Sequence, residues 1–434
     1  MSSANTATSP GGTRKLILAV IDGLTPEVFE DAVEQRKTPA LAALHDVGTY
    51  GRAVSTFPSL TPVCLATLAT GAHPDVHGIP HLVWYHRDEG RIVEYGSSFG
   101  AMRAAGTRRS IRDAIVEMNA HHLSRDAVTV FESLEDAGLT AAAVNTPCYR
   151  GRTRHVPTVP GVVRPVDGPR RFFYFSLFES NVTGAPLAIR TRTGGSIDSY
   201  AAAVGRWLVT RDGFDFLFYY LPDYDYASHA LGPEGAAEAL RRSDQAIGAL
   251  IDAAGGLEDF LSRYAVVVCS DHGQTRVDRV VRLHGSVPDL VTASNRAGMV
   301  YTAEPREIAE RLVGSDGVDV VLFREDGSAY ALRDGGELRL DGAGEGWERR
   351  AVHALANPNA GEVIVSAAQG VEFADLGGRH HAGGGSHGSL LDGDSLVPML
   401  VAGSDAEPPR DIAAVAGLVL GHFGIEGPAY ARAA

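Results

Sequence analysis

Three runs of the chain share one pattern. Lys15–Ile21 (KLILAVI), 214–221 (FDFLFYYL) and Tyr264–Cys269 (YAVVVC) are almost continuously apolar, and Asp22, Asp225 and Asp271 follow them within four positions. A strand of this kind has no polar face to give to water, so it must be covered on both sides. Such strands belong to a parallel sheet between helices, and polar residues at their carboxyl ends collect along one edge. The runs at 141–145 (AAAVN) and 395–403 (SLVPMLVAG) extend the set. Helical signals lie between them. Thr38-Pro39 and Thr61-Pro62 each put a capping hydroxyl before a proline at the first helical position. Further helices are predicted over 233–254 and about 410–421. The predicted class is α/β: a doubly wound, mostly parallel sheet flanked by helices, with inserted lid and accessory segments.

With 434 residues, 44% of them hydrophobic and 21% charged, the chain can fill a large core. Residues 1–14 read as a disordered tail and 15–425 as one catalytic domain. Accessory segments are predicted at about 82–130, 147–195 and 298–370, where aromatic, Arg-rich or turn-rich stretches interrupt the strand–helix alternation. The net charge of −14 argues against binding to a nucleic-acid duplex, which wants a basic stripe. It does not oppose a small anionic substrate where bound cations reverse the local field. Cys64, Cys148 and Cys269 are odd in number and far apart, which argues against a disulfide framework. No apolar run reaches the roughly 20 residues of a membrane span, and no signal-peptide core precedes residue 15. The expectation is a soluble cytoplasmic enzyme.

The candidate chemistry sits beside the apolar runs. Asp22 ends the first strand; Asp225 and His229 follow the second; Asp271 and His272 follow the third; His387 lies in a Gly-rich loop before 395–403. Three carboxylates and three imidazoles supply too few hard oxygens for a calcium cage but suit a pair of zinc-like ions. Taken singly, each residue also fits a bland role: Asp22-Gly23 is a common strand-to-turn signal, and Asp225 with His229 makes a surface pair on a helix. Thr61 reads both as a helix cap and as a hydroxyl beside free amides, where phosphate binds. On the residues alone, Ser59 and Thr56 are rival nucleophiles.

These stretches resemble the alkaline phosphatase superfamily, in particular its type I phosphodiesterase and nucleotide pyrophosphatase branch. The matching segments are AVIDGL (19–24), TFPSLTPVCLATLATGAHPDVHGI (56–79), YLPDYDYASHALGP (220–233), VVVCSDHG (266–273) and GSHGS (385–389), in family order. The resemblance implies an alkaline-phosphatase-like fold and two zinc ions, with manganese as the alternative metal. Carried over residue by residue, one ion is held by Asp22, Thr61, Asp271 and His272, the other by Asp225, His229 and His387. Thr61 is then the nucleophile, since the family nucleophile stands nine residues before the Thr of the Thr70-Gly71 pair. The implied reaction is hydrolysis of a phosphodiester or nucleotide pyrophosphate through a phosphothreonine intermediate. His380 and His381 match no family motif and read as loop or outer-shell groups.

One position departs from the pattern. Nucleotide pyrophosphatases place an Asn shortly after His-Gly-Ile to hold phosphoryl oxygens; here that position is Leu82, which cannot donate a hydrogen bond. His81 or the backbone amide of Val63 are the expected substitutes, and Phe57, Tyr224, Tyr226 and the 81–99 stretch are expected to form an aromatic wall. A phosphonoacetate-type hydrolase and a phosphomonoesterase are the rivals on the same metal site, with a cofactor-independent phosphoglycerate mutase more distant. A sulfatase is set aside because Cys64 is followed by LATL rather than the Cys-x-Pro-x-Arg setting.

Overall fold

In this computed structural model the described residues are 14–158, 161, 163–180, 196–285, 287, 289–292, 294–340, 346–374 and 380–432. Apart from Arg14, the tail expected over 1–14 lies outside them. The central sheet has eight strands: β1 (Lys15–Ile21), β2 (Thr49–Val54), β3 (Ala141–Val144), β4 (Arg171–Tyr174), β5 (Phe178–Glu179), β6 (Phe216–Leu221), β7 (Tyr264–Cys269) and β8 (Leu396–Ala402). Their spatial order is β2-β8-β7-β1-β6-β3-β4-β5. The run β7-β1-β6-β3-β4 is parallel, while β8 and β5 are antiparallel to their neighbours.

The apolar runs are continuous because each strand feeds two cores. Leu16, Leu18 and Val20 of β1 pack on one side, with helices α3 (Thr61–Thr70), α4 (Val130–Asp136) and α8 (Ala414–His422). Ile17, Ala19 and Ile21 pack on the other, with α1 (Pro26–Glu34), α2 (Pro39–Val47), α5 (Ile197–Thr210) and α7 (Ala237–Ala254). Adjacent side chains on a strand point to opposite faces, so burial on both faces removes the alternation a half-exposed strand would show.

Two elements differ from the sequence expectation. The stretch FFYFSLF, read as accessory structure, supplies β4 and β5 at the sheet edge. The helix read as opening with a Thr61 cap instead begins at Thr61 itself. Leu60 is the cap residue, and its carbonyl accepts from Val63 and Cys64 amides at 2.9 Å. A second, six-stranded antiparallel sheet runs from Leu290–Val291 to Val363–Ala367 and carries its own core. Residues 82–122 form a hairpin (Val83–His86 with Arg91–Glu94), two short helices and a ten-residue π-helix, Asp113–His122. No helix among the described residues is long and apolar enough to cross a membrane.

Candidate active site

Five separate segments meet at the carboxyl edge of the parallel strands. Asp22 ends β1, Asp225 and His229 sit on α6 (Asp223–Leu231) after β6, and Asp271-His272 follow β7. Asp225 and His229 are one helical turn apart, so both face the same side, with His229 Nε2 3.4 Å from Asp225 Oδ2. His387 arrives on the loop before β8 and stacks on His272 with ring centroids 3.7 Å apart. Thr61, at the start of α3, places its Oγ1 3.1 Å from His272 Nε2. Gly23 (φ +72°) gives the turn after β1 the room it needs, because a Cβ there would sit 2.8 Å from Asp225 Oδ1.

The imidazole tautomers follow from their partners. Nδ1 of His272 lies 3.0 Å from the Gly273 carbonyl, Nδ1 of His229 2.8 Å from the Gly385 carbonyl, and Nδ1 of His387 2.7 Å from the Ser59 carbonyl. A carbonyl only accepts, so each Nδ1 carries a proton and donates it. In the neutral ring each Nε2 then presents a lone pair. Backbone-held Nδ1–H with a free Nε2 is the arrangement of metal-ligating histidines. Ligand atoms of Asp22, Asp271 and His272 lie within 4.8 Å of one another, as do those of Asp225, His272 and His387. Oδ1 of Asp22 and Oδ2 of Asp271 are buried without a hydrogen-bond partner among the described residues.

The electrostatics agree with a cation site. Burial, then the charges of Asp225 and Asp271, push the Asp22 carboxyl well above its ordinary range. Burial also raises Asp271, with Asp225 adding to the shift. Burial opposes ionisation of Asp225 too, but His229, His387 and His272 outweigh it and hold that carboxyl low. Three carboxylates at this depth need positive charge among them. The donor set of Asp oxygens and His nitrogens therefore fits one or two divalent transition-metal ions.

A cavity of about 620 Å³ opens beside Thr61, Asp22, Asp225, His229 and His387. Leu82 lines it, as do Tyr226 and Tyr95 of the expected aromatic wall, but Phe57, Val63, His81 and Tyr224 do not. Phe57 packs in the core under the second sheet, and Tyr224 is fully buried with its hydroxyl donating to the Pro233 carbonyl at 3.0 Å. Tyr226, two residues on and therefore on the other side of the helix, is the one that faces the cavity. His81 is fully buried, its Nδ1 accepting from the Val83 amide at 3.1 Å. The Val63 amide is taken by the Leu60 carbonyl at 2.9 Å, as the tight first turn of α3 requires. Thr56 and Ser59, the rival hydroxyls, are buried away from the cavity, and Ser59 Oγ donates to the Thr56 and Ser389 carbonyls.

Other residues join the site that sequence reasoning passed over. Tyr220 donates its hydroxyl to Asp22, and Gln274 donates its amide to Asp225 while accepting from Ser228 Oγ at 2.5 Å. Gln274 follows the Asp271-His272-Gly273 signal directly and was readable from it. His381, read from the sequence as a loop or outer-shell group, lines the cavity 4.3 Å, centroid to centroid, from His229, with Nδ1 2.6 Å from the buried Glu372 carboxylate. Tyr174, Phe175, Ser294 and Asn295 complete much of the wall, together with Tyr95 from the expected 81–99 stretch.

Comparison with known proteins identifies a family and a fold. A family model for type I phosphodiesterase / nucleotide pyrophosphatase matches residues 16–390. Human ectonucleotide pyrophosphatase/phosphodiesterase family member 7 is 23% identical over 284 residues, which is 62% of this chain and 50% of that protein. The chain thus spans about half the length of that curated relative. Among solved structures, an inactive variant of murine ectonucleotide pyrophosphatase/phosphodiesterase 5 in complex with AMP superposes with a TM-score of 0.65, at 15% identity over 96% of both chains. Phosphonoacetate hydrolase from Sinorhizobium meliloti 1021 in complex with phosphonoformate gives 0.63, at 18% identity over 97% of this chain and 98% of that one. At such identities the structures establish the fold.

Proposed function

Because the chain belongs to the type I phosphodiesterase / nucleotide pyrophosphatase family, we propose that it hydrolyses a phosphodiester or nucleotide pyrophosphate with Thr61 as nucleophile. The observation that carries this reading is the set of three Nε2 lone pairs and three buried carboxylates beside the Thr61 hydroxyl. Asp22, Thr61, Asp271 and His272 would hold one divalent ion, and Asp225, His229 and His387 the other, with zinc favoured by the mixed oxygen and nitrogen donors. When bound, such ions supply Lewis-acid charge neutralisation and lower the pKa of a coordinated hydroxyl.

The protein's own groups account for the rest. Thr61 Oγ attacks phosphorus in line, forming the Thr61 Oγ–P bond as the P–O bond to the leaving group breaks. Water then displaces Thr61 from the phosphothreonine ester. Carbonyls of Gly273, Gly385 and Ser59 keep the three imidazoles oriented throughout. Tyr95, Tyr174, Phe175 and Tyr226 offer aromatic surface to an ester substituent. No lysine or arginine stands among the described cavity-lining residues, which favours a diester, with one negative charge, over a dianionic monoester.

The shared fold with phosphonoacetate hydrolase makes C–P cleavage the second reading. The absence of a cationic side chain from the described lining counts against it, because a substrate carboxylate would ask for one. The test is a side-by-side kcat/KM measurement on an aryl phosphodiester, an aryl monoester, a dinucleotide and phosphonoacetate, using one preparation of known metal content. The diester or the dinucleotide is expected to lead. A monoester or phosphonate preference of about tenfold, roughly 1.4 kcal/mol at the transition state, overturns the assignment.

A further inference from the structure

A phosphoryl group in this cavity brings non-bridging oxygens that need hydrogen-bond donors, and the described lining offers hydroxyls on Ser97, Tyr174, Tyr226 and Ser294 and one carboxamide. Leu82 presents only methyl groups. The Tyr220 hydroxyl is engaged with Asp22, and that of Tyr95 lies 2.8 Å from His122 Nδ1. Asn295 is the one carboxamide in the described lining. It lies in the loop between the second sheet's first two strands, Leu290–Val291 and Ala297–Val300.

Its geometry is fixed on three sides. The side-chain Oδ1 accepts from the Ala297 amide at 2.9 Å. That amide only donates, so it must face the oxygen, which settles which end of the carboxamide is which. The Asn295 carbonyl accepts from the Phe373 amide at 2.9 Å, and the next amide, Arg296, donates to the His387 carbonyl at 2.9 Å. Asn295 is 1% exposed, and its Nδ2 is buried with no hydrogen-bond partner among the described residues. A buried donor left unpaired opposes folding, and native proteins rarely keep one without a ligand or a role.

We propose that Asn295 is a substrate-binding residue whose Nδ2 donates to a non-bridging oxygen of the phosphoryl group held beside Thr61. The inference rests on the proposed function and sharpens it. A neutral amide recognises the single negative charge of a diester and offers no cation for the second charge of a monoester.

The test uses metal-loaded full-length protein and two variants. Asn295→Asp keeps the oxygen that accepts from Ala297 and removes the donor; Asn295→Ala removes both. The readouts are the Kd of inorganic phosphate by calorimetry, kcat and KM for bis(4-nitrophenyl) phosphate, metal content and melting temperature. Both variants are expected to raise the phosphate Kd about tenfold and lower kcat/KM by about 10–100-fold, with metal content unchanged. Asn295→Asp should be the worse of the two because its carboxylate repels the anion. Values within twofold of wild type in both variants overturn the proposal. Losses that track falling metal content or melting temperature in both variants assign Asn295 a structural role and also overturn it. Wild-type protein that carries its metals but neither binds phosphate nor cleaves the diester would instead sink the proposed function, and this inference with it.

Discussion

The Thr61 hydroxyl makes no cap bond to its helix, and its near neighbour is the His272 imidazole. Its chemistry and its stability are therefore separable. Thr61→Ala is expected to lower kcat by about 10³-fold or more, as loss of a nucleophile does. Its melting temperature should stay within about 2 °C of wild type, because no cap is lost. A variant keeping more than a tenth of wild-type turnover removes Thr61 from the nucleophile's role. Asp225→Asn and His387→Ala are each expected to lower bound metal from two ions per chain to about one, read by elemental analysis of protein purified without chelator. Retention of both ions contradicts the assignment. At this scale the sequence was readable where residues sat next to apolar runs: Asp22, Asp271 and His272 each follow a strand within three positions. Tyr220 and Asn295 were not readable. A tyrosine inside an apolar run looks like core, and the Asn295 segment is tied to the site by the Arg296 amide donating to the His387 carbonyl, a contact between distant parts of the sequence.

Turns between elements set the site as much as its ligands do. Gly23 adopts φ +72°, and a Cβ there would lie 2.8 Å from Asp225 Oδ1 and 3.0 Å from Gln274 Nε2. Gly138 adopts φ +82° with nothing within 4 Å of the same position. Both Gly→Ala changes carry left-handed strain of about 1–2 kcal/mol, but only Gly23→Ala pushes into the ligand set. Chemical denaturation should show similar losses from that shared strain, with an added loss for Gly23→Ala. Elemental analysis should show missing metal in Gly23→Ala alone, and equal metal content in the two variants refutes this account of the turn. The long strands β1, β6 and β7 were legible because burial on both faces leaves an unbroken apolar run. The edge strands β4 and β5 were not, because four-residue and two-residue strands flanked by Arg, Pro and Gly carry no periodicity of their own. The pairing of β4 with β3 is a long-range contact that no local signal announces, and β5 joins the sheet only through β4.

Across the whole molecule, the doubly wound order brings Asp22, Thr61, Asp225, Asp271 and His387, spread over 366 positions, to one sheet edge. The same packing buries histidines outside the candidate ligand set. Burial, then the charge of His73, depresses His77 to about 3, and burial with His86 depresses His122 to about 3. A folded-state value below the unfolded one of about 6.5 means that the stability is fully present above pH 6.5. It is lost as pH falls toward 3, at about 1.4 kcal/mol per pH unit for each such histidine. Denaturation of chelator-treated protein at pH 7.5, 6.5 and 5.5 should show this loss, and His77→Asn should flatten it relative to wild type. A variant with the wild-type slope contradicts the assignment. The central claim, turnover through Thr61, is tested most directly by the stereochemical course at phosphorus. Wild-type enzyme would be given a phosphorothioate diester of known configuration in isotopically labelled water. Two in-line displacements predict retention of configuration, whereas inversion means that water attacks phosphorus directly and contradicts the Thr61 mechanism.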